Sequence, residues 1–234
     1  MIDYSSLNGS KNILNIWRIR RYKKAFYKEH PSYFRPDGLI VFCGPQGAGK
    51  TLSAVQYVRE LSWIYPKVKI CTNVDIEGLN PCCEVIEYDG LHCLTNIENG
   101  YDGVIYLIDE IHLEFNSLES KNIPIEVMIE VSQQRKQRKH IVGTSQQFMR
   151  LAKPLREQVK NLVLCKNYLG CIQYNKLIDG ETIMEKDGHI QMDIRKKALW
   201  FHTPDLYDSY DTYKKMRRYR KEWKGVTSQS NLYE

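Results

Sequence analysis

Long hydrophobic runs are missing from this 234-residue sequence. Its longest unbroken apolar stretches, Leu39–Cys43 and Val104–Ile108, hold five residues each, against the roughly 20 that cross a bilayer as a helix. No membrane-spanning segment is expected. The opening MIDYSSLNGSKNIL also lacks a basic start followed by an apolar stretch of signal-peptide length, so the expected location is cytoplasmic, whether in a host cell or associated with a virion. A disulfide framework is absent as well. The seven cysteines (43, 71, 82, 83, 93, 165 and 171) are odd in number and scattered along a chain large enough to fold without staples, which fits reduced thiols. Cys82, Cys83, His92 and Cys93 come nearest to a zinc set, but adjacent cysteines lack the CxxC spacing that seats two thiolates on one ion. There is no internal repeat and no low-complexity tract. What remains, 42% hydrophobic and 26% charged, is the composition of a globular chain, and the length suits one domain with appendages.

Acidic residues are lacking in two places. Between Lys11 and Lys28 lie seven basic residues and no acid; between Lys214 and Lys224 lie seven more, with Glu222 alone against them. The net charge of +6 is therefore an acidic body carrying two basic ends. Trp17, Tyr22, Phe26, Tyr27, Tyr219 and Trp223 interleave aromatics with these charges, a mixture suited to a polyanion, with nucleic acid ahead of anionic lipid. The expected organisation is a basic N-terminal extension over 1–37, a catalytic domain over 38–213 and a basic C-terminal tail over 214–234.

After Pro31, Pro36 and Gly38 the pattern alternates short apolar runs with helical periodicity, the mark of an α/β fold with a central, mostly parallel sheet flanked by helices. Strands are predicted over Leu39–Cys43, Lys69–Asn73, Val104–Ile108, Ile141–Ser145 and Leu162–Lys166. Helices are predicted over Lys50–Ile64 and Pro124–Lys139, the second with Ile125, Met128, Ile129 and Ser132 spaced to share one face. A shorter helix over Phe148–Val159 would be bent by Pro154. Beyond Tyr168 the sequence turns polar, with turns at Asp179-Gly180 and Asp187-Gly188, and reads as a hairpin-like insertion over 168–200.

Gly44-Pro45-Gln46-Gly47-Ala48-Gly49-Lys50-Thr51 satisfies GxxxxGK[ST] between a buried-strand pattern and a helical one. The glycines let backbone N–H groups close around phosphate oxygens, Lys50 reaches the β- and γ-phosphates, and the Thr51 hydroxyl holds Mg2+. With Leu52 just inside the helix, residues 44–52 form the expected ATP-binding loop. Gly103–Glu110 is an apolar strand ending in two acids: Asp109 would complete the Mg2+ site and Glu110 would polarise an attacking water, a role that argues for hydrolysis. In Arg138–Gln146 a basic helix end runs into a strand expected beside the first, so that Gln146 would sense the γ-phosphate. Arg135 and Arg138, at i and i+3 of the predicted helix, would share a face turned toward a neighbouring subunit. Arg138 is the arginine-finger candidate, with Arg135 and Arg156 as alternatives.

These residues resemble the FtsK–HerA superfamily of ring-forming DNA-translocating ATPases, and more narrowly its small viral branch of zonula occludens toxin-like phage morphogenesis proteins and phage DNA-packaging ATPases. The likeness rests on GPQGAGKT at 44–51, CTNVDI at 71–76, IYLIDEIHLEF at 105–115, RKHIVGTSQ at 138–146 with Leu155-Arg156 following, and HTPDLYDSYDTY at 202–213. It implies a RecA-like P-loop domain and a homo-oligomeric, hexameric ring with ATP bound between subunits. It also implies DNA as partner, duplex ahead of single-stranded, and a capsid-vertex or membrane-anchor protein as support. Filamentous-phage members commonly carry a membrane helix after the ATPase domain; with none here, a packaging-type motor fits better than a membrane-embedded extrusion protein.

Asp109-Glu110-Ile111-His112 also spells a DExH helicase box, but those enzymes need two RecA-like lobes and only 184 residues follow Lys50. A P-loop kinase has no need of Glu110 or of basic ends. A non-hydrolysing, ATP-responsive scaffold that binds DNA is the remaining alternative. The six histidines are scattered, and His112 is read as making local contacts only.

Overall fold

A computed structural model describes residues 14–30, 33–98, 100–186 and 189–210. The basic C-terminal run from Lys214, the last three residues of HTPDLYDSYDTY and the turn at Asp187-Gly188 lie outside the described residues.

The framework is one eight-stranded sheet. Its strands are β1 (Leu39–Cys43), β2 (Lys69–Thr72), β3 (Val85–Glu87), β4 (Val104–Ile108), β5 (Lys139–Ser145), β6 (Val159–Tyr168), β7 (Ile172–Asp179) and β10 (Ile194–Phe201); β8 (Met184–Lys186) and β9 (His189–Gln191) form a separate two-stranded ribbon. The order is β10-β7-β6-β1-β5-β4-β2-β3. From β6 to β3 every pairing is parallel, while β7 and β10 add on antiparallel. All residues of β1, β4 and β5 are buried, as expected of strands covered on both faces.

Alternate residues of these strands feed two cores. Leu39, Val41, Cys43, Tyr106, Ile108 and Leu162 pack on one face, Ile40, Phe42, Ile105, Leu107 and Val163 on the other. Helix α2 (Lys50–Ile64) covers the second face with Leu52, Val55 and Val58. The first face is covered by α3 (Cys93–Asn96), α4 (Ile125–Gln133) and α5 (Lys153–Arg156), which contribute Leu94, Val127, Val131 and Leu155. Helix α1 (Leu14–Glu29) precedes the sheet. Its Trp17, Ile19 and Tyr22 are exposed, and its far end is held where Phe26 and Tyr27 meet Tyr33 edge-on.

Several predicted boundaries shift for identifiable reasons. Helix α4 ends at Gln133 rather than Lys139, because Arg138 adopts φ 54 and its carbonyl accepts from the Val104 N–H at 3.1 Å to start the β4–β5 ladder. The buried stripe on α4 is Val127 and Val131; Ile125 and Ile129 face outward. Phe148–Val159 is no single helix. A 3-10 turn at Phe148–Arg150 and α5 are separated by extended Leu151 and Ala152, whose N–H donates to Phe115 O at 2.8 Å. Pro154 sits in the first turn of α5, where no backbone donor is required. The stretch 168–200 is not an insertion hung on the domain: β7 pairs with β6 over eight registered residues and continues the main sheet. Toward the chain's end, α6 (Pro204–Asp208) leads into a bridge between Tyr210 and Ile76.

Candidate active site

The ends of β1, β4 and β5 place the predicted residues along one edge of the sheet. After β1 the chain turns through Gly44–Gly49, with Gly47 at φ 77 and Gly49 at φ 74, and enters α2 at Lys50. These glycines are required by space as well as by conformation. A Cβ on Gly44 would stand 2.7 Å from the Cys165 carbonyl, and one on Gly49 would stand 2.1 Å from Gln173 Oε1. The loop is thus pressed between its own helix and the ends of β6 and β7, leaving a backbone cradle of the kind that closes on phosphate. Lys50, only 7% exposed, folds back so that Nζ donates to Pro45 O at 3.0 Å.

Thr51 and Asp109 meet directly. The Thr51 hydroxyl donates to Asp109 Oδ1 at 2.8 Å across 58 residues of sequence. A hydroxyl and a carboxylate converging at the foot of a phosphate loop form the donor set that suits a hard divalent cation such as Mg2+, so the residues fit both ATP and its metal. Asp109 is clamped on other sides. Asn73 Oδ1 accepts from the Asp109 N–H at 2.8 Å, Asn73 Nδ2 donates to the Asp109 carbonyl at 3.1 Å, and the Thr144 hydroxyl donates to Asp109 Oδ1.

Glu110 follows with φ 56, a left-handed conformation uncommon outside glycine. Its N–H donates to Thr144 Oγ1 at 2.9 Å, so this one buried hydroxyl fixes both acids. The Glu110 carboxylate stands 3.3 Å from Nε2 of buried His112, whose Nδ1 lies 3.4 Å from Ser145 Oγ. Gln146 follows β5 at the same sheet edge, and its Oε1 accepts from Arg150 Nη1 at 3.3 Å. Burial pushes the Cys43 and Cys165 thiols, beside the loop, up to about 12, and each is also acted on by the charge of Lys50, which lowers it. Both therefore stay protonated and take no nucleophilic part.

Arg138 is elsewhere. It precedes β5, a strand of seven residues, so roughly 26 Å of extended chain separates it from Gln146. Its guanidinium lies over the rings of Tyr33 and Tyr101, 3.9 and 4.6 Å from their centroids, and donates to Gly100 O and Tyr33 Oη. Because α4 ends first, Arg135 and Arg138 share no helical face. Arg156 lies in α5, with Nη1 against Met149 Sδ. The zinc-like positions do not come together as a set: Cys83 Sγ turns away to donate to Pro66 O at 3.4 Å, while His92 Nε2 and Cys93 Sγ each lie 2.9 Å from Asp89 Oδ1.

Asn73, Thr144 and Gln173, to which the motifs assign no role although the first two lie in CTNVDI and RKHIVGTSQ, complete the site together with His112, whose contact with Glu110 is local as expected. Asn73 and Thr144 hold the acids, and His112 meets the Glu110 carboxylate. Gln173, fully buried in β7, donates through Nε2 to the Ala48 carbonyl at 3.0 Å. His202 Nε2 lies 3.2 Å from Gln173 Oε1, while Tyr207 bonds both His202 Nδ1 and the Gly170 carbonyl. HTPDLY thereby acts on the phosphate loop through Gln173. The neighbouring Asn175 donates to Ser53 Oγ of α2 at 3.1 Å.

No family model matches the chain, and no curated protein matches it in sequence. Among solved structures, the N-terminal domain of zonular occludens toxin from Neisseria meningitidis superposes with a TM-score of 0.54 at 17% identity, covering 76% of this chain and 100% of that one. Looser likenesses join the genome packaging NTPase B204 from Sulfolobus turreted icosahedral virus 2 (TM-score 0.49, 11% identity, 67% of this chain and 97% of that one) and the flagellar accessory protein FlaH from Methanocaldococcus jannaschii (0.41, 12%, 69% and 91%). The fold is that of a RecA-like P-loop NTPase. Among the described residues no helix is long and apolar enough to cross a membrane.

Proposed function

We propose that this chain is an ATPase of the FtsK–HerA type that moves DNA, with genome packaging by a viral or phage motor as its setting. The observation that carries the reading is the Thr51–Asp109 contact at 2.8 Å. It joins the phosphate loop to an acidic pair whose second member a kinase would not need.

In this reading Gly44–Leu52 hold ATP, the loop's N–H groups taking the phosphates. Lys50 Nζ, now on the Pro45 carbonyl, would pair with the β- and γ-phosphates. Thr51 Oγ1 and Asp109 Oδ1 would hold Mg2+, which would neutralise charge on the phosphates. Glu110, fixed by Thr144 and His112, orients water and accepts its proton at the carboxylate. Gln146 senses the γ-phosphate from the end of β5. A ring of copies is part of the proposal, and an arginine from a neighbour would complete each site. Arg138 can serve only by leaving Tyr33 and Tyr101, whereas Arg150, beside Gln146 of its own chain, would act in cis rather than as the neighbour's arginine.

The test is steady-state ATP hydrolysis with and without duplex and single-stranded DNA. Glu110→Gln should bind ATP and turn over at least about a hundredfold more slowly, the scale of a lost general base, and Lys50→Ala should lose nucleotide binding. Parental turnover by Glu110→Gln would remove Glu110 from its role. Hydrolysis indifferent to DNA but raised by vesicles would favour the second reading, a membrane-associated zonula occludens toxin-like assembly ATPase; the N-terminal domain of zonular occludens toxin shares this fold. In mixed rings with Lys50→Ala subunits, the arginine variant that restores activity identifies the finger.

A further inference from the structure

Among the described residues, one face of the last strands of the sheet is left largely uncovered, and no nucleotide chemistry uses it. Strands β6, β7 and β10 run past the helices covering the first core, and three rows of side chains there point to one side. Register places Lys166 beside Tyr174 and Leu199, with Lys176 beside Lys197 in the next row. In the row beyond, Tyr168 aligns with Ile172 and Phe201. These rows are continuous with Leu164 and Ile178 of the core, yet Tyr168 is 42%, Leu199 61% and Phe201 66% exposed. Large exposed apolar groups clustered on one sheet face mark an interaction surface.

Charge and ring geometry select the partner. The rows from 164 to 168, 172 to 178 and 194 to 201 on this face contain three lysines and no acid. Lys166 Nζ lies 4.7 Å from the Tyr168 ring centroid and Lys176 Nζ 5.8 Å from that of Tyr174. The two tyrosine rings are 6.4 Å apart. Cations set among exposed Tyr168 and Phe201 and half-buried Tyr174 suit a chain of phosphates carrying flat, unpaired bases; a duplex hides its base faces, leaving such rings nothing to stack on.

We infer that this face of β6, β7 and β10 binds single-stranded nucleic acid, with the lysines on phosphates and Tyr168, Tyr174 and Phe201 under bases. The inference rests on the DNA-motor reading only for its biological setting. Strand β7 also ties the face to the phosphate loop: Gln173 and Asn175 point the other way, onto Ala48 O and Ser53, with Tyr174 between them. A strand bound on one side of β7 thus presses on the residues that position Gly49 and α2.

The test is fluorescence anisotropy of the full chain with a labelled oligo(dT) strand across a salt series. Three neutralised phosphates give a log–log salt slope of about −2. Lys197→Ala should flatten that slope by about 0.7. Tyr168→Ala and Phe201→Ala should each weaken binding about tenfold, within the range of one lost base stack; thermal melting like the parent's separates this from misfolding. Lys50→Ala should keep oligo(dT) affinity, so failure of the ATPase reading and failure of this one remain distinct. Unchanged affinity in Tyr168→Ala and Phe201→Ala would overturn the assignment. So would binding lost only on charge reversal in α1, tighter binding of a duplex that ignores both ring substitutions, or variants that change the oligomeric state instead.

Discussion

Thr144→Val replaces a fully buried hydroxyl by a methyl of nearly the same shape, leaving packing intact while removing the atom shared by both acids. In the native chain Thr144 Oγ1 accepts from the Glu110 N–H at 2.9 Å and donates to Asp109 Oδ1. The variant strands a backbone donor beside a left-handed residue, which costs about 1–3 kcal/mol, and removes a bond to a carboxylate, which contributes about 1.5–3 kcal/mol. The two losses overlap because both groups gain some water, so about 3 kcal/mol is expected. For a chain of this length that is roughly a 10 °C fall in melting temperature, read by circular dichroism with urea unfolding as a second measure. Thr144→Ser keeps the hydroxyl and should recover most of the loss. Hydrolysis should fall in the valine variant and require more Mg2+ for half-activation, since Asp109 is then held by Asn73 and Thr51 with one donor fewer. A valine variant that melts with the parent while the serine variant is the weaker one would refute the reasoning, for Thr144 would then act through its methyl.

Gly49→Ala should unfold earlier and bind nucleotide poorly, because the position has φ 74 and the new Cβ meets Gln173 Oε1 at 2.1 Å. Adding Gln173→Ala should return part of the stability but not the backbone strain, a non-additivity read in a double-mutant cycle. His112→Ala should lower kcat about tenfold, close to 1.4 kcal/mol, with KM within about twofold, since His112 meets the Glu110 carboxylate and not the phosphate loop; an equal rise in KM would count against it. His140 supplies a pH dependence. Its Nδ1 donates to Gly38 O at 2.7 Å and its Nε2 pairs with Tyr57 Oη at 3.0 Å, and burial lowers it to about 4. The unfolded chain, with His140 near its ordinary 6.5, takes up the proton first. Stability is therefore full above about pH 6.5 and declines toward pH 4 by up to about 3 kcal/mol. Urea midpoints across that range should follow this slope, and His140→Gln should lose most of it.

What the sequence discloses follows from how locally each feature is encoded. The phosphate loop occupies eight consecutive residues between a buried strand and a helix, so its backbone chemistry is spelled in one place. Asp109 and Glu110 end a run of apolar residues in the same way. The clamps on them are not local: Asn73 reaches Asp109 over 36 residues and Thr144 over 35, and only the placement of β2, β4 and β5 side by side brings them together. Helix α4 fails differently. Ile125 with Ile129 and Val127 with Val131 are both i, i+4 pairs, and periodicity alone cannot choose which stripe meets Leu155 and Phe115. The helical pattern runs on through Arg138, but the ladder to Val104 requires the chain to turn before it.

The polar stretch after Tyr168 is the most instructive of these cases. A strand is recognised by one apolar face, and Gln173-Tyr174-Asn175-Lys176 has none: one side serves the phosphate loop and α2, the other is open with lysine and tyrosine. Only Leu177 and Ile178, just beyond this stretch, enter the two cores, so the segment reads as a hairpin appended to the domain although β7 pairs with β6 along its whole length. The same absence of an apolar stripe makes the strand informative. Pairing with β6 over eight residues and with β10 over seven holds these side chains in register, which leaves the polar groups of 173–176 available on both sides. A polar strand inside a sheet is favoured only where its side chains find partners. On one side Gln173 and Asn175 have them in Ala48 and Ser53; on the other, among the described residues, the rings and lysines lie open or half-buried, where the proposed nucleic-acid strand would meet them.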